Sequence, residues 1–599
     1  MSQVKASPVG TWAGTVEHDD QLDPFEISFG ADGSVALKTP TSIGGGAWAV
    51  GEGSSFSYFL REMFTDEARK GGYVRIQVAA NVMAESYEGV GSADVVFNGR
   101  VVHTTRATFT GRRTDRSNPS WHTEHHQDAA RQSLTQPEID ILRQHGFSGQ
   151  VIAPEDETYD ERRAGWNLSG DNRPRAILRP VTASDVASAL AFADALKLPV
   201  ALQATGHGPS SPMQDCLLID TSSLTGCVLE GDVATVGAGT RWRDALPTIV
   251  ASGQAALCGS SPDVGIAGFV SGGGLPVLCR SHGLAADSVL ELEVATTSGE
   301  LLTCSPQDHP ELFWGSLGGH GNLGAITSVR LRLIDDPQLF GGILMFGEDK
   351  VDAALRTYFG WTPDLPDEMN SSIAVLRFPD LPQTPPEMRN RYFVQVRIAY
   401  TGDPAEGQRL IEPLRALGTE EDSVRVMPYT EIGTIYAEPP RPTPARIRTE
   451  LTWDFPAEAV EALVRVAGAD AKLPFGGVEF RHLGGVLARS TSPAPVSYRA
   501  AQYQLFITNP AFDDRLEEVV AAQDHIFEEL GPWLSGHAWP GFLFTRDVTE
   551  KAVQRAYDDD DWARLQAAKQ AYDPKNTLRV NHNIPPMGPA NRNDDKESD

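Results

Sequence analysis

The chain has 599 residues, 41% hydrophobic and 22% charged, proportions ordinary for a globular protein but a length too great for one core, so two to four domains are expected. Its 51 basic and 80 acidic residues leave a net charge of −29, which argues against general binding to nucleic acid or to an anionic membrane. It does not exclude a phosphate-bearing cofactor, because backbone N–H groups can hold one without net positive charge. Five cysteines (Cys216, Cys227, Cys258, Cys279 and Cys304) are odd in number and never in CxxC spacing, so neither a disulfide framework nor a zinc site is expected. The opening MSQVKASPVGTW lacks an apolar signal-type core and no apolar run reaches membrane length, so the expectation is a cytoplasmic protein without a membrane partner.

Residues 1–113 read as an all-β domain. Runs such as TWAGTVE, FEISF, YVRIQVAANV and VVHTTRATFTG alternate or are rich in β-branched residues, and GADG, GGG, GEG and NGR separate them. That is the pattern of an antiparallel meander closing into a small barrel, and the opening Gly10-Thr11-Trp12 resembles the first strand of a lipocalin-like one. Residues 114–134 are polar and read as a linker. His122, His125 and His126 lie in it, but no carboxylate or cysteine set completes a metal site, so none is expected.

From residue 135 the texture changes to mixed helix and strand. DVASALAFADALK has helical spacing with Ser184 as its expected cap, and PVALQA follows as a strand. RWRDALPTIVASG reads as a helix, VLELEVATTSGELLTCS as two strands about a turn at Ser298-Gly299, and GAITSVRLRLID as another strand. Residues 336–540 carry DAALRTYFGW, AEAVEALVRVAG and RLEEVVAAQDHIFEEL as helices and FVQVRIAYTG and YQLFITN as strands, enough for a second core. The tail 588–599 has the composition of a disordered segment.

Three glycine-rich loops fall between residues 204 and 324: ATGHG, GSSPDVGIAGFVSGGG and SLGGHGNLG. Glycine permits close backbone approach, and successive N–H groups form an anion-binding nest, so three such loops suggest a large phosphate ligand lying along them. The third contains a formal GxGxxG, Gly319 to Gly324, but a helix-like PELFW precedes it and a strand follows. A Rossmann turn needs the reverse order, and no GxxxxGK[ST] is present, so both nucleotide motifs are excluded.

ATGHG, SSPDVGIAGFVSGGG, SHGLAADSVLELEVATTSGE and LFWGSLGGHGNLGAITSVRLRL, in this order, resemble the FAD-binding domain of the berberine bridge enzyme-like FAD-linked oxidases. YDERRAGWN and RPRAILRPVTASDV resemble the opening of that domain, and YDPKNTLRVNHNIPP its final return segment. The wording is similar to the bacterial branch that includes mitomycin radical oxidase and 6-hydroxy-D-nicotine oxidase, over residues 135–587. The resemblance implies an α+β fold: a two-subdomain PCMH-type FAD-binding domain (135–335), an α/β substrate domain with an antiparallel sheet (336–540) and a carboxyl-terminal return to the FAD domain (541–587). The all-β lipocalin-like barrel precedes them.

The resemblance also implies cofactor contacts. His207 matches the histidine bonded covalently to the flavin 8α-methyl carbon, and Gly206 and Gly208 leave room for the approach. Thr205 through Gly208 would cradle the pyrophosphate. Ser261, Val264, Gly265, Gly268 and Gly272, Gly273 and Gly274 would line the ribityl chain and ring. Gly283, Asp287, Val294 and Ile326 would serve the adenosine side, and Asn581 and Asn583 would lie near the isoalloxazine. Ser261 stands where many members carry a second flavin-linked cysteine, so one covalent link is expected, not two; Gln203 replaces the family's usual arginine.

On the substrate side, GGVEFRHLGG resembles a family strand, and YQLFITN is read as its neighbour facing the flavin. An ungapped reading from Arg499 places Ile507 at the family's Glu, Gln or Tyr position, so Leu505 and Tyr503 share its face by strand alternation. Tyr503 is then the candidate base, with Glu479, Arg481 and His482 as weaker candidates and a core tyrosine as the alternative. HAWPGFLFTRD keeps Phe542 and Phe544 but lacks the family's asparagine, suggesting an apolar pocket with few polar anchors and a hydrophobic secondary-metabolite substrate, as in antibiotic biosynthesis. The implied activity is an FAD-dependent oxidase passing electrons to O₂ to give H₂O₂. A drug-sequestering flavoprotein and a cyclase without net oxidation remain open, as do the role of the barrel and a homodimer.

Overall fold

A computed structural model describes residues 133–587, apart from 171, 209–212, 379–387, 440–441, 472, 493, 511–515 and 545–546, and eight strands before them. The chain forms two compact units that divide between residues 131 and 132. His122, His125, His126 and the tail 588–599 lie outside the described residues.

The first unit consists of β1 (Gly10–His18), β2 (Gln21–Phe29), β3 (Ser34–Lys38), β4 (Ser42–Val50), β5 (Ser55–Phe64), β6 (Gly72–Val82), β7 (Ser86–Phe97) and β8 (Arg100–Asp115). Each pairs antiparallel with the next, and β1 pairs with β8 to close a barrel. Alternation sorts the side chains: Phe25 and Ile27 are buried about an exposed Glu26. Trp12, Ile76, Val78, Ala80 and Phe109 are also buried, and Phe25 meets Phe109 edge to face. Strand β8 continues to Asp115, two residues past the expected boundary.

The second unit holds three sheets. The first joins β9 (Gln150–Ile152), β10 (Ala176–Arg179), β11 (Val200–Gln203) and β12 (Leu217–Asp220) in the order β11-β12-β10-β9, with β10, β11 and β12 parallel. The helix Ala183–Leu196 provides the crossover from β10. Its cap is Thr182, not Ser184: the Thr182 hydroxyl accepts from the Asp185 N–H while the Asp185 carboxylate accepts from the Thr182 N–H, a reciprocal box that Ser184 cannot form. The second sheet is antiparallel, ordered β13-β14-β17-β15-β16 from β13 (Cys227–Glu230), β14 (Val233–Gly237), β15 (Val289–Ala295), β16 (Leu301–Cys304) and β17 (Ala325–Arg332).

The third sheet comprises β18 (Gln338–Gly347), β19 (Met369–Arg377), β20 (Tyr392–Tyr400), β21 (Glu421–Asp422), β22 (Arg425–Pro428), β23 (Ala445–Thr452), β24 (Gly476–His482) and β25 (Tyr503–Pro510). Its order is β21-β18-β20-β19-β24-β25-β23, with β22 beside β18. One face is apolar. Val394, Val396, Ile398, Phe480, Tyr503, Leu505 and Ile507 pack there with Tyr358, Phe359, Val460, Leu463 and Ile526 of the helices Val351–Trp361, Ala457–Ala467 and Leu516–Leu530. The second unit thus combines mixed helix–strand layers with antiparallel sheets. No helix among the described residues is long and apolar enough to cross a membrane.

Candidate functional site

Strand β11 delivers the chain to Gly206, whose φ of +68° is the left-handed conformation glycine tolerates. A Cβ there would stand 2.4 Å from the Gly165 Cα, so the loop lies hard against the segment 165–167. The Trp166 N–H donates to the Thr205 carbonyl at 3.1 Å and the Asn167 N–H to the Gly206 carbonyl at 3.2 Å. The Trp166 indole then stacks on the His207 imidazole, centroids 4.4 Å apart and planes 12° apart. Asn167 exchanges two 3.0 Å hydrogen bonds with the Ala445 backbone, which fixes this corner to the start of β23.

The His207 ring is held but not saturated. Its Nδ1 is 3.1 Å from the Thr205 hydroxyl, while Nε2 is buried without a hydrogen-bond partner. Burial, with a lesser contribution from the Arg241 charge, lowers its pKa to about 3, so the imidazole is neutral at pH 7.

The other glycine loops converge on it. A Cβ on Gly265 would lie 3.4 Å from the Ala204 Cβ and 3.6 Å from the Thr205 Cγ2, which brings the second loop against the first. Ser261 is buried, Val264 half-buried, and Gly268 faces open space. The third loop joins through the His320 N–H, which donates to the Ser271 carbonyl at 3.0 Å. A Cβ on Gly272 would fall 2.7 Å from the Gly541 Cα, so the segment after Trp539 presses on the second loop. Gly273, Gly274 and Gly283 all have positive φ.

The carboxyl-terminal segment is stitched beneath these loops. Asn581 clamps β11, accepting from the Leu202 N–H at 3.0 Å and donating to its carbonyl at 3.2 Å. Asn322 donates to the carbonyls of Gly319, Asn581 and His582 and accepts from the Ile584 N–H. Lys569, fully buried, donates to the Asn322 and Leu578 carbonyls and pairs with Asp573 at 2.7 Å. His320 and His582 stack at 5.6 Å, and burial lowers their pKa values to about 3 and about 4. The Asn583 Oδ1 is a buried acceptor without a partner.

The expected cofactor residues therefore divide. Thr205, Gly206, His207, Gly208, Ser261, Val264, Gly265, Gly268 and Gly272 to Gly274 lie on the converging loops, and Asn583 offers a free acceptor. Asn581 is committed to the backbone of β11. Asp287 is committed too: it pairs with Arg499 at 2.8 Å and accepts from Ser490 and from the Leu284 N–H beside Gly283. Val294 and Ile326 are buried register partners in β15 and β17, with Val294 set closely against Gly324. The unpartnered His207 Nε2 and Asn583 Oδ1, with open space beside Gly208 and Gly268, fit a flavin nucleotide.

On the substrate side the expected face is corrected. Tyr503, Leu505 and Ile507 point into the helix-side core. The Tyr503 hydroxyl bonds to the Thr362 hydroxyl, its ring packs on Phe359 and Phe455, and burial raises its pKa, so nothing prepares it as a base. An ungapped reading fixes a position in sequence but not which face it occupies, and a slip of one residue turns every side chain over.

The opposite face carries Glu479 and Arg481 of β24 and Gln504 and Phe506 of β25 in register: Arg481 opposes Gln504, and Glu479 opposes Phe506. Arg397 of β20 approaches Glu479 at 3.0 Å, and Arg481 reaches the same carboxylate at 3.4 Å. Burial pushes the Glu479 carboxyl up, but the two guanidiniums outweigh it and hold it below its ordinary value. The Arg481 guanidinium also lies 5.0–5.6 Å from the ring centres of Phe506, Tyr436 and Phe542. The expectation of few polar anchors therefore fails: the aromatic residues were visible in the sequence, and the charged row they surround was not.

Arg481, His482, Tyr436 and Ser371 line a narrow cleft with Ser260, Leu275, Pro276, Val277 and Cys279 of the second glycine loop and its continuation. Buried Arg280 holds the two parts together, donating to the carbonyls of Leu365, Pro366, Met369 and Leu483 and, at 3.1 Å, to His482 Nε2. Sequence reasoning missed Trp166, Asn322, Arg397, Tyr436, Gln504 and Lys569. Only Gln504 carried a local signal, as the alternation partner of Tyr503. Among the described residues no group of three or more side chains is arranged to hold a metal ion.

Residues 174–305 match the FAD binding domain family and residues 542–585 the berberine and berberine-like family. The chain is 25% identical to an uncharacterised FAD-linked oxidoreductase of Bacillus subtilis and 26% identical to (R)-6-hydroxynicotine oxidase of Paenarthrobacter nicotinovorans. Each comparison spans 74% of this chain and 98% of the relative. Its fold is similar to that of berberine bridge enzyme from Eschscholzia californica, with a TM-score of 0.64 at 17% identity over 76% of this chain and 99% of that one.

Proposed function

Because the chain is an FAD-linked oxidoreductase carrying the FAD-binding and berberine-like domains, we propose that it is an oxidase acting on an apolar small molecule, with O₂ as the electron acceptor, H₂O₂ as product and FAD attached covalently through His207. The observation that carries this reading is the His207 ring: neutral, stacked on Trp166, with Nε2 buried and unpartnered at the meeting point of the glycine loops. A neutral imidazole has the free lone pair that bond formation to a carbon requires, and a protonated one does not. Ser261 provides no thiol, so a single link is proposed.

When bound, the flavin supplies hydride acceptance and reoxidation by O₂. The chain's own groups position and exclude. Trp166 and Thr205 set the His207 plane, Gly268 leaves open space on the second loop, and Asn583 presents an acceptor. Leu275, Pro276 and Val277 keep water from the cleft wall, while Arg481, paired behind it with Glu479, supplies charge opposite it. Residues 10–115 we read as a lipocalin-like module.

Acid precipitation tests this reading. Yellow absorbance should stay with the pellet of the wild-type chain and move to the supernatant in His207→Ala. Flavin released from the wild-type chain would refute the covalent link, and a chain that takes up no FAD would refute the reading as a whole.

A further inference from the structure

The cleft face of the sheet has more buried positive charge than it pairs. Arg280, Arg397 and Arg481 are buried in and behind this wall, and Glu479 is the buried carboxylate among them. Arg280 is met by four carbonyls and by His482, which burial and the Arg280 charge keep neutral. Arg397 and Arg481 share Glu479. The other carboxylates nearby are turned outward: Glu438 is exposed and accepts from Ser260, and Asp367 is paired with Arg489.

Polar groups on the same face are left over. The Nε–H groups of Arg397 and Arg481 are buried without partners, and so are both amide atoms of Gln504, a fully buried residue opposite Arg481 on β25. Burying a charge or a polar group without a partner costs stability. A sequence seeking stability alone would place apolar residues here, as it does at Tyr503, Leu505 and Ile507 on the reverse face. The row is therefore built to be completed by something that enters the cleft.

We infer that the cleft takes an apolar substrate bearing a carboxylate, which docks on Arg481, backed by the buried Gln504 amide on the neighbouring strand, while its apolar part lies against Tyr436, Leu275 and Val277. A carboxylate suits this wall because the guanidinium that lines it meets a carboxylate with parallel N–H donors. Tyr436, Phe506 and Phe542, ranged about the guanidinium, limit its movement and exclude water. This inference rests on the reading of the cleft as the substrate site of the FAD-linked enzyme.

Benzoate and its neutral isostere benzamide are the probes. Each is titrated into the full-length, flavin-loaded chain at pH 7.5 and followed by calorimetry and by the visible flavin band. Benzoate should bind at least tenfold more tightly than benzamide, saturate at one equivalent and perturb the band. Arg481→Gln should reduce the preference below threefold. Gln504→Leu, which removes an unsatisfied amide at similar volume, should weaken benzoate severalfold, leave benzamide unchanged and keep the protein folded should Arg481→Gln fail to fold.

Equal affinity for the two probes would overturn the inference, as would an undiminished preference in Gln504→Leu and in folded Arg481→Gln. A lowered flavin potential in Arg481→Gln with benzoate affinity intact would also overturn it, since the surplus charge would then serve the flavin. A chain that binds benzoate selectively by calorimetry but takes up no FAD would support the anion site and refute the flavin reading, so the two fail separately.

Discussion

The two faces of the eight-stranded sheet are built from the same strands, yet they are finished differently. On the helix side Phe480, Tyr503, Leu505 and Ile507 meet aromatic and aliphatic neighbours, and the one hydroxyl among them, that of Tyr503, is bonded to Thr362. On the cleft side Glu479, Arg481 and Gln504 are as deeply buried, but their hydrogen bonds and charges do not balance. One face is a completed core, and the other keeps buried polar groups without partners. Side chains that neighbour each other in sequence, such as Tyr503 and Gln504, thereby have opposite roles.

The largest expected effect comes from breaking the charged face. Glu479→Gln leaves Arg397 and Arg481 without a carboxylate, and stability should fall by about 3–5 kcal/mol, read from urea unfolding of the second unit. Acid sharpens the contrast next, because the cleft face and the glycine loops lose stability over different windows. Glu479 has a lowered folded-state pKa, so its contribution is complete above the ordinary carboxylate pKa of about 4.3 and is lost as pH falls below that. His320 and His582 have folded-state values of about 3 and about 4, so the unfolded chain binds protons the folded one refuses. Their stabilisation is complete above about pH 6.5 and drains as pH falls toward 4 and then 3. His582→Gln should therefore flatten the stability slope between pH 6.5 and 5, where Glu479→Gln should leave it unchanged.

The smaller effects come from the matched pair on β25. Tyr503→Phe loses one buried hydrogen bond, and about 1 kcal/mol of stability should go with it, while the response to benzoate stays that of the wild-type chain. Gln504→Leu should change stability least and in the other direction, raising it by up to about 1 kcal/mol, because an unpaired amide leaves the interior. A destabilised Gln504→Leu would show that the amide is satisfied within the fold and would remove the distinction between the faces.

How much was legible followed the range of the determining interactions. The three glycine loops could be placed because positive φ and close approach demand glycine locally, as at Gly206, Gly273 and Gly283. The two strands about Ser298-Gly299 and the helices at 351–361, 457–467 and 516–530 followed from apolar period and turn residues. The helix cap was misplaced by two residues, since Ser184 and Thr182 are both capping types and only the reciprocal partner decides. The base assignment failed for a longer-range reason: the face a strand residue occupies is set by what covers the sheet.

By itself the sequence determined where the backbone must bend, which segments alternate and where the glycine-rich loops fall, because those properties depend on residues a few positions apart. It also carried the histidine of the first loop in a recognisable setting. The tertiary structure alone decided that Trp166 stacks on His207, that Asn581 clamps β11 from 379 residues away, and that Arg397, Glu479, Arg481 and Gln504 meet on one face. Those partners come from strands and loops distant in the chain. Register and burial bring them together, and no local pattern of residue types encodes which buried group will be left without a partner.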